Sequence, residues 1–363
     1  MIILPKKEII LPFKQTIGMQ GFLRLQTINK FSGKITSDTG FFPNQLLTAG
    51  MNIMADHSNW MNYCQVGTDN TAPSAVQTSM LGHVAGTSTI QSTISGQASS
   101  SPYYGWKRKV FRFSAGTVAA NLNEVGVGWG TTGSTLISRA LILDPVSQLP
   151  TTVTPLADEI LDVTYELRYY APTSDKTGPQ VTLDGTVYNT TTRAAYVTSV
   201  AWSQDIGAAI AAKGGTSYYW TAYDDVLGAV TTGPSGLTAN PDTSSPTTSG
   251  YSNNSFEVAI NISCGPSGWN LGSGIRSIRI YSTVGAFQTQ FSAASGGATI
   301  PKNSNYTMTM SWMLSWGARP ADWDSGETYS AGDTVIHNDL HWSSDINGNT
   351  SEPGIANWTQ YWT

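Results

Sequence analysis

Hydrophobic and polar residues alternate strictly in three stretches of the chain. Leu161, Val163, Tyr165, Leu167 and Tyr169 fall on one side, with Asp162, Thr164, Glu166 and Arg168 between them. Phe256, Val258, Ile260 and Ile262 alternate with Glu257, Ala259 and Asn261; Tyr306, Met308, Met310, Trp312 and Leu314 alternate with Thr307, Thr309 and Ser311. A period of two is the mark of a half-buried β-strand, because successive side chains leave a pleated backbone on opposite faces. Two segments keep a helical period instead. Residues 44–56 place Leu47, Met51 and Met54 at i, i+4 and i+7 behind Asn44, and residues 203–213 run from a Ser203 cap to a Gly214-Gly215 stop. Everything else reads as strands and turns.

The two halves can be laid side by side. The first runs from a helix to Tyr63-Cys64-Gln65-Val66, a long Gly/Ser/Thr loop, a strand near Val110–Phe113, Asn121-Leu122 and a closing strand, Leu161–Tyr170. The second runs from a helix to Tyr218-Tyr219-Trp220, a loop over 231–253, the strand Phe256–Ile262, Asn270-Leu271 and a closing strand, Tyr306–Trp316. Phe111 to Asn121 and Ile260 to Asn270 cover the same interval. The expected fold is mainly β: two tandem β-sandwich-like domains, a possible duplication with a short helix in each, and a small C-terminal β module. An amphipathic sheet must cover its apolar face with a second layer. The expected boundaries are an N-terminal arm over 1–40, sandwiches over 41–171 and 201–317, a linking hairpin over 172–200 packed on the first sandwich, and the module over 318–363. The hairpin signal is Asp184-Gly185 between Val181-Thr182-Leu183 and Thr186-Val187-Tyr188.

Composition supports the β reading. Only 12% of residues are charged, 36 of the 363 are Gly and 12 are Trp. β-Branched and aromatic side chains suit a pleated surface, and Gly suits its turns. A net charge of −5 lacks the Lys and Arg excess that displaces counterions from nucleic acid. The basic run Lys107-Arg108-Lys109 with Arg112 divides between the two faces of a strand and reads as solvated surface. No apolar run approaches the ~20 residues of a membrane span. The N-terminal residues lack a signal-peptide pattern, which implies synthesis in a cytoplasm. Cys64 and Cys264 suggest neither a disulfide framework nor a metal site.

Candidate chemistry is sparse. Four histidines, His57, His83, His337 and His341, have no Gly-x-Ser-x-Gly turn to serve. Asp158, Glu159, Asp162 and Asp224-Asp225 are the acids that a glycan-cleaving pair would draw on, but they read as turn and hairpin residues. Gly126, Gly128 and Gly130 alternate with Val125, Val127 and Trp129, which describes a strand beside a close neighbour and not a phosphate loop. Asp345, Asn347, Asn349 and Glu352 miss the calcium-loop spacing and read as an Asx-rich turn. His337 and His341, four apart on one strand face, lack a third zinc ligand. The expectation is a non-enzyme with no catalytic residues, no metal and no cofactor.

Composition changes after Gly317-Ala318-Arg319-Pro320. Trp323, Tyr329, Gly332-Asp333-Thr334-Val335, Trp342, Glu352-Pro353-Gly354 and Trp358 follow in an order that resembles the chitin-binding carbohydrate modules of families five and twelve. His337 departs from that pattern, which usually has Tyr there. The resemblance covers residues 319–363 and implies a compact β unit of about fifty residues that grips polysaccharide on exposed aromatics. A flat ring can stack on a pyranose while its edges bond hydroxyls; Tyr329, Trp342 and Trp358 are the carbohydrate-binding candidates. So small a unit also needs aromatics for its own core, or they can anchor a protein interface.

A second resemblance is broader. Tyr63-Cys64-Gln65-Val66-Gly67-Thr68-Asp69-Asn70-Thr71-Ala72-Pro73-Ser74, the Asn44–Gly50 helix start and Arg168-Tyr169-Tyr170-Ala171-Pro172 are similar to stretches common in bacteriophage tail and fibre proteins. That implies a virion component at the tail tip, baseplate or fibre, assembled in the host cytoplasm. Its partners would be other tail proteins and further copies of itself, with a trimer favoured, and host surface polysaccharide. The alternatives are a purely structural tail protein whose module docks another tail protein, and a glycan-cleaving tailspike.

Overall fold

The computed structural model describes residues 7–55, 57–183, 185–199, 206, 210, 220–242, 247–248, 250–297, 299–338 and 340–360. The chain is mainly β, with 49% of residues in strands. Its organising element is the 23-residue strand Lys7–Asn29, about 75 Å long at the usual rise per residue. From Phe13 to Thr27 its residues alternate between buried and more accessible positions without a break. Phe13, Ile17, Met19, Leu23 and Leu25 are the apolar members of the buried series. Residues Gly18–Asn29 pair antiparallel with the closing strand of the first half, Glu159–Tyr170. Residues Lys7–Met19 pair parallel with the closing strand of the second half, Tyr306–Ala318. The segment expected as a separate arm is therefore the central strand of a nine-stranded sheet that spans both halves. With backbone partners on either side and a greasy face, it cannot stand apart from the body.

Two smaller sheets complete the body. A five-stranded sheet runs in the order Gln45–Leu46, Leu136–Leu141, Glu124–Gly128, Tyr63–Gly67, His83–Thr87. A seven-stranded sheet follows the path Lys176–Thr177, Thr186–Ala195, Gly285–Ala293, Ser277–Ser282, Trp220–Tyr223, Thr238–Ala239, with Val181–Leu183 paired onto Thr186–Ala195. Read from Gln45–Leu46 in one and from Thr186–Ala195 in the other, the two orders match strand for strand in their position along the chain. The large sheet repeats the match: Ile90–Gln97 and Tyr104–Phe113 flank the first closing strand as Thr247–Thr248 and Glu257–Cys264 flank the second. The expected linking hairpin instead supplies strands to the second half's sheet, since Thr186–Ala195 pairs along its length with Gly285–Ala293.

One hydrophobic cluster runs from Phe13 to Trp316 through both halves. Phe13 meets Phe291 with ring centroids 5.5 Å apart, and Trp312 meets Phe287 at 5.1 Å, so the large sheet packs on the seven-stranded one. The tandem arrangement expected from the sequence is thus replaced by two half-bodies sharing a sheet and a core. The first predicted helix is shorter than its period suggested, Thr48–Ile53, with Leu47 at its N-cap and no side-chain cap. Asn44 lies upstream of it, its N–H donating to the Gly21 carbonyl. Gly50 explains the tight seat: a Cβ there would lie 2.2 Å from the Ile137 Cα. This helix also reaches the second half. The Met51 carbonyl accepts from Trp316 Nε1 at 2.9 Å, Asn52 bonds Tyr251 and Asn254, and the Met54 carbonyl accepts from the Ile210 N–H. The second predicted helix, 203–213, lies outside the described residues except for Ile206 and Ile210, both buried.

The closing strand of the first half is more deeply covered than a half-buried strand. Its apolar series is at most 1% exposed, yet Asp162, Thr164 and Glu166 on the opposite side are also buried. Long side chains pave that outer face. Arg112 forks onto Asp162 with two 2.7 Å bonds, Arg108 pairs with Glu166, and Arg168 bonds Glu166 while lying 4.1 Å over the Phe22 ring. Lys109 turns inward beside Asn62 and is buried; desolvation, then Lys107, lowers its pKa to about 8.

Candidate functional site

The C-terminal unit is a four-stranded sheet in the order Ala321–Asp322, Thr334–His337, Leu340–Ser344, Trp358–Gln360. Its buried apolar residues, Val335, Ile336 and Trp358, stand apart from the body cluster. Trp358 is 8% exposed. Its Nε1 donates to the Ser351 carbonyl at 2.8 Å, and Tyr329 meets its ring edge-on at 5.3 Å. Neither face of Trp358 is offered to solvent, and Tyr329 is half-buried against it, its hydroxyl bonded at the Asp324 backbone. These two candidates come together as a minicore, because a unit this small has few other residues to fill one. Trp342 is half-buried and sits elsewhere, where a Cβ added at Gly354 would lie 3.5 Å from its ring, and its Nε1 donates to the His337 carbonyl at 3.4 Å.

The two histidines of this unit do not share a strand face. Thr334–His337 and Leu340–Ser344 form an antiparallel hairpin in which Ile336 lies opposite His341 and His337 opposite Leu340. His337 packs edge-on against Trp323 at 5.0 Å and bonds Glu352 at 2.9 Å. Among the described residues no three His, Cys, Asp or Glu side chains gather as metal ligands. The Asx-rich turn caps backbone: Asn347 accepts from the Ala331 N–H, and buried Asn349 ties Ser344, Ser351 and Asn357 together.

His341 belongs to a cleft that sequence reasoning missed, because its walls come from segments up to about 325 residues apart in the chain. It opens between the body and the C-terminal unit. Tyr103, Tyr170, Lys176, Arg319, Leu340 and His341 dominate its lining. The last turn of the ladder places Arg319, whose N–H donates to the Met19 carbonyl at 2.7 Å. Its guanidinium lies 4.4 Å over the Tyr170 ring and pairs with Asp322 at 2.7 Å. Burial, then Arg319 and Lys176, lowers the pKa of His341 below the ordinary imidazole value. Burial, then Lys14, lowers that of Lys176. Each shift reports burial first and neighbouring positive charge second, both of which disfavour the protonated form.

The acids weighed for glycan cleavage are engaged in local structure. Asp158 accepts from Asn29, Glu159 from Thr36 and the Leu156 N–H, and Asp162 from Arg112. Asp224 accepts from the Leu237 N–H and Ser273, and Asp225 from the Val226 N–H and Ser235. The Thr68–Gly82 loop is fixed from below by a fully buried pair, Arg139 and Glu124, 2.6 Å apart. Arg139 donates to the Thr71 carbonyl and to Gln77; Glu124 accepts from the Gly82 N–H at 2.6 Å. Both cysteines are free and buried; desolvation raises both thiols, that of Cys264 to about 12.

No protein family, curated protein or solved structure matches this chain. Its fold and site therefore define it on their own terms: a mainly β chain of several sheets, carrying a small aromatic-rich unit beside a positively charged cleft.

Proposed function

We propose that the chain is a structural component of a bacteriophage tail, at its tip, baseplate or fibre, that contributes to host attachment through glycan contacts. The observation that carries this reading is the placement of the C-terminal unit. It continues directly from the Tyr306–Ala318 strand, which is laddered along the opening strand, so a broad β body presents a small aromatic unit at its end. The likeness of residues 63–74 to tail proteins supports the body's part in this, and the order of residues 319–363 supports the glycan part. On this reading the matching strand orders make the body two copies of one sandwich unit, fused through a common strand. The chain acts without catalysis, in the virion, as a homo-oligomer, with a trimer favoured. Many weak sugar contacts on one tail then multiply: linked sites gain about 10²–10⁴ over a single one.

Trp342 is the ring left to stack on sugar once Tyr329 and Trp358 are given to the minicore. Trp342→Ala in the full chain should abolish retention on host envelope polysaccharide while the melting temperature stays within a few degrees. Retention unchanged by the substitution would remove the receptor role. The inward placement of Trp358 also favours a second reading, in which the unit docks another tail protein and Trp342 is its anchor. In that case Trp342→Ala virions would lose a neighbouring tail protein and keep polysaccharide binding.

A further inference from the structure

We propose that the cleft between the body and the C-terminal unit binds an anionic sugar, a pyranose bearing a carboxylate or a phosphate. The inference deepens the attachment reading and rests on it for its setting, but it assigns the contact to a different place from Trp342. Three observations converge on it.

The first is charge. The chain carries −5 overall, yet the cations Lys176 and Arg319 line one cleft, with the imidazole of His341 beside them as a polar group and no carboxylate among the described residues of that lining. Burial, and after it Lys14, which pairs with Glu257 at 2.8 Å, disfavours the protonated form of Lys176. Asp322 balances Arg319 from outside the lining. A pocket walled by one sign of charge concentrates the opposite sign.

The second is construction. The Arg319 side chain is 6% exposed, held by its backbone bond to Met19, its stack on Tyr170 and its ion pair. Tyr170 is fixed in turn by its hydroxyl bond to Gln20 at 3.1 Å and its packing on Tyr104 at 5.1 Å. A cation held this firmly loses little freedom when a ligand arrives, and such preorganisation favours binding.

The third is the mixture of surfaces. Tyrosine rings, prolines, Ile336 and Leu340 share the lining with Thr16, whose hydroxyl bonds Ser315 at 2.6 Å, Thr173 and Ser174. A sugar ring has apolar faces and a hydroxyl rim, and sites with mainly apolar walls and a few placed polar groups suit it. A bare inorganic anion would leave the apolar walls unused.

The test is calorimetric titration of the full chain at low salt with three probes: cellobiouronic acid, galactose 6-phosphate and neutral cellobiose. At least one acidic probe should bind more tightly than cellobiose, whose stacking on Trp342 needs no charge, and raising salt to about 0.5 M should weaken the acidic binding through screening. Lys176→Gln should weaken it by about fivefold or more with an unchanged melting temperature, and His341→Gln serves as a second variant should Lys176→Gln prove unstable. Binding of only one acidic probe identifies the acidic group and upholds the site. Absence of both at millimolar concentration, equal binding of cellobiose, or full affinity in both variants would overturn it. Trp342→Ala should leave the salt-sensitive acidic binding unchanged, so loss of polysaccharide retention in that variant and loss of acidic-sugar binding in Lys176→Gln report on separate claims.

Discussion

Glu124 and Arg139 show how a single pair can hold a loop. Neither side chain is reached by solvent, and each bonds the Thr68–Gly82 loop as well as its partner. An ion pair buried this far gains stability only while every lone pair and N–H is matched, and removing one partner strands the other charge in a dry interior. Glu124→Gln should therefore destabilise the chain by about 3–5 kcal/mol, read as a lower denaturant midpoint with an unchanged slope. A loss below ~1 kcal/mol would mean that the loop is held by something else. The sequence marked this loop through its Gly-Thr and Thr-Ala-Pro residues, but the pair beneath it could not be seen: Glu124 and Arg139 are separated from it by up to 71 positions and meet it only through sheet pairing.

At the scale of elements, the alternating strands were legible because burial of one face imposes period two, and all three named stretches are strands but for Phe256, which precedes the strand Glu257–Cys264. The opening strand carries the same signal from Ile17 to Leu25, yet Gln15 and Gly21 fall on its buried side and Phe22 on its outer side. Polar and small residues at core positions blurred the pattern enough to suggest an arm. Burial on both faces of the first closing strand was also hidden, since Asp162 and Glu166 look solvent-facing until Arg108, Arg112 and Arg168 cover them. A strand paired on both edges tolerates no missing donor, and proline, which removes a ladder hydrogen bond, is confined in sheets to edge strands, strand starts and bulges. Met19→Pro, at the point where the opening strand meets both closing strands, should leave little folded protein by circular dichroism and size exclusion. A monodisperse, native-like variant would show that the central pairing is dispensable.

For the whole molecule, the decisive feature is the sheet that both halves share. Repeated order was readable in the chain, but sharing was not, because a parallel neighbour some 300 positions away leaves no local mark. The site followed the same rule: the minicore aromatics were visible as a composition change, whereas the cleft needs both ends of the body. One cluster through both halves predicts one cooperative unit. A fragment of residues 201–317 should therefore remain unfolded by amide-exchange protection, since it lacks the opening strand, and a well-protected fragment would restore the picture of independent domains.

The parallel ladder from Lys7↔Tyr306 to Met19↔Ala318 also sets a timetable. During translation the ribosome makes one edge of that pairing some 300 residues before the other. Until then, the leading stretch must wait with its amides and carbonyls open to water or to a stray strand. Contacts so distant in the chain slow folding and leave newly made chains open to mispairing, so expression at low temperature or with a holding chaperone should raise the soluble yield more than any surface redesign.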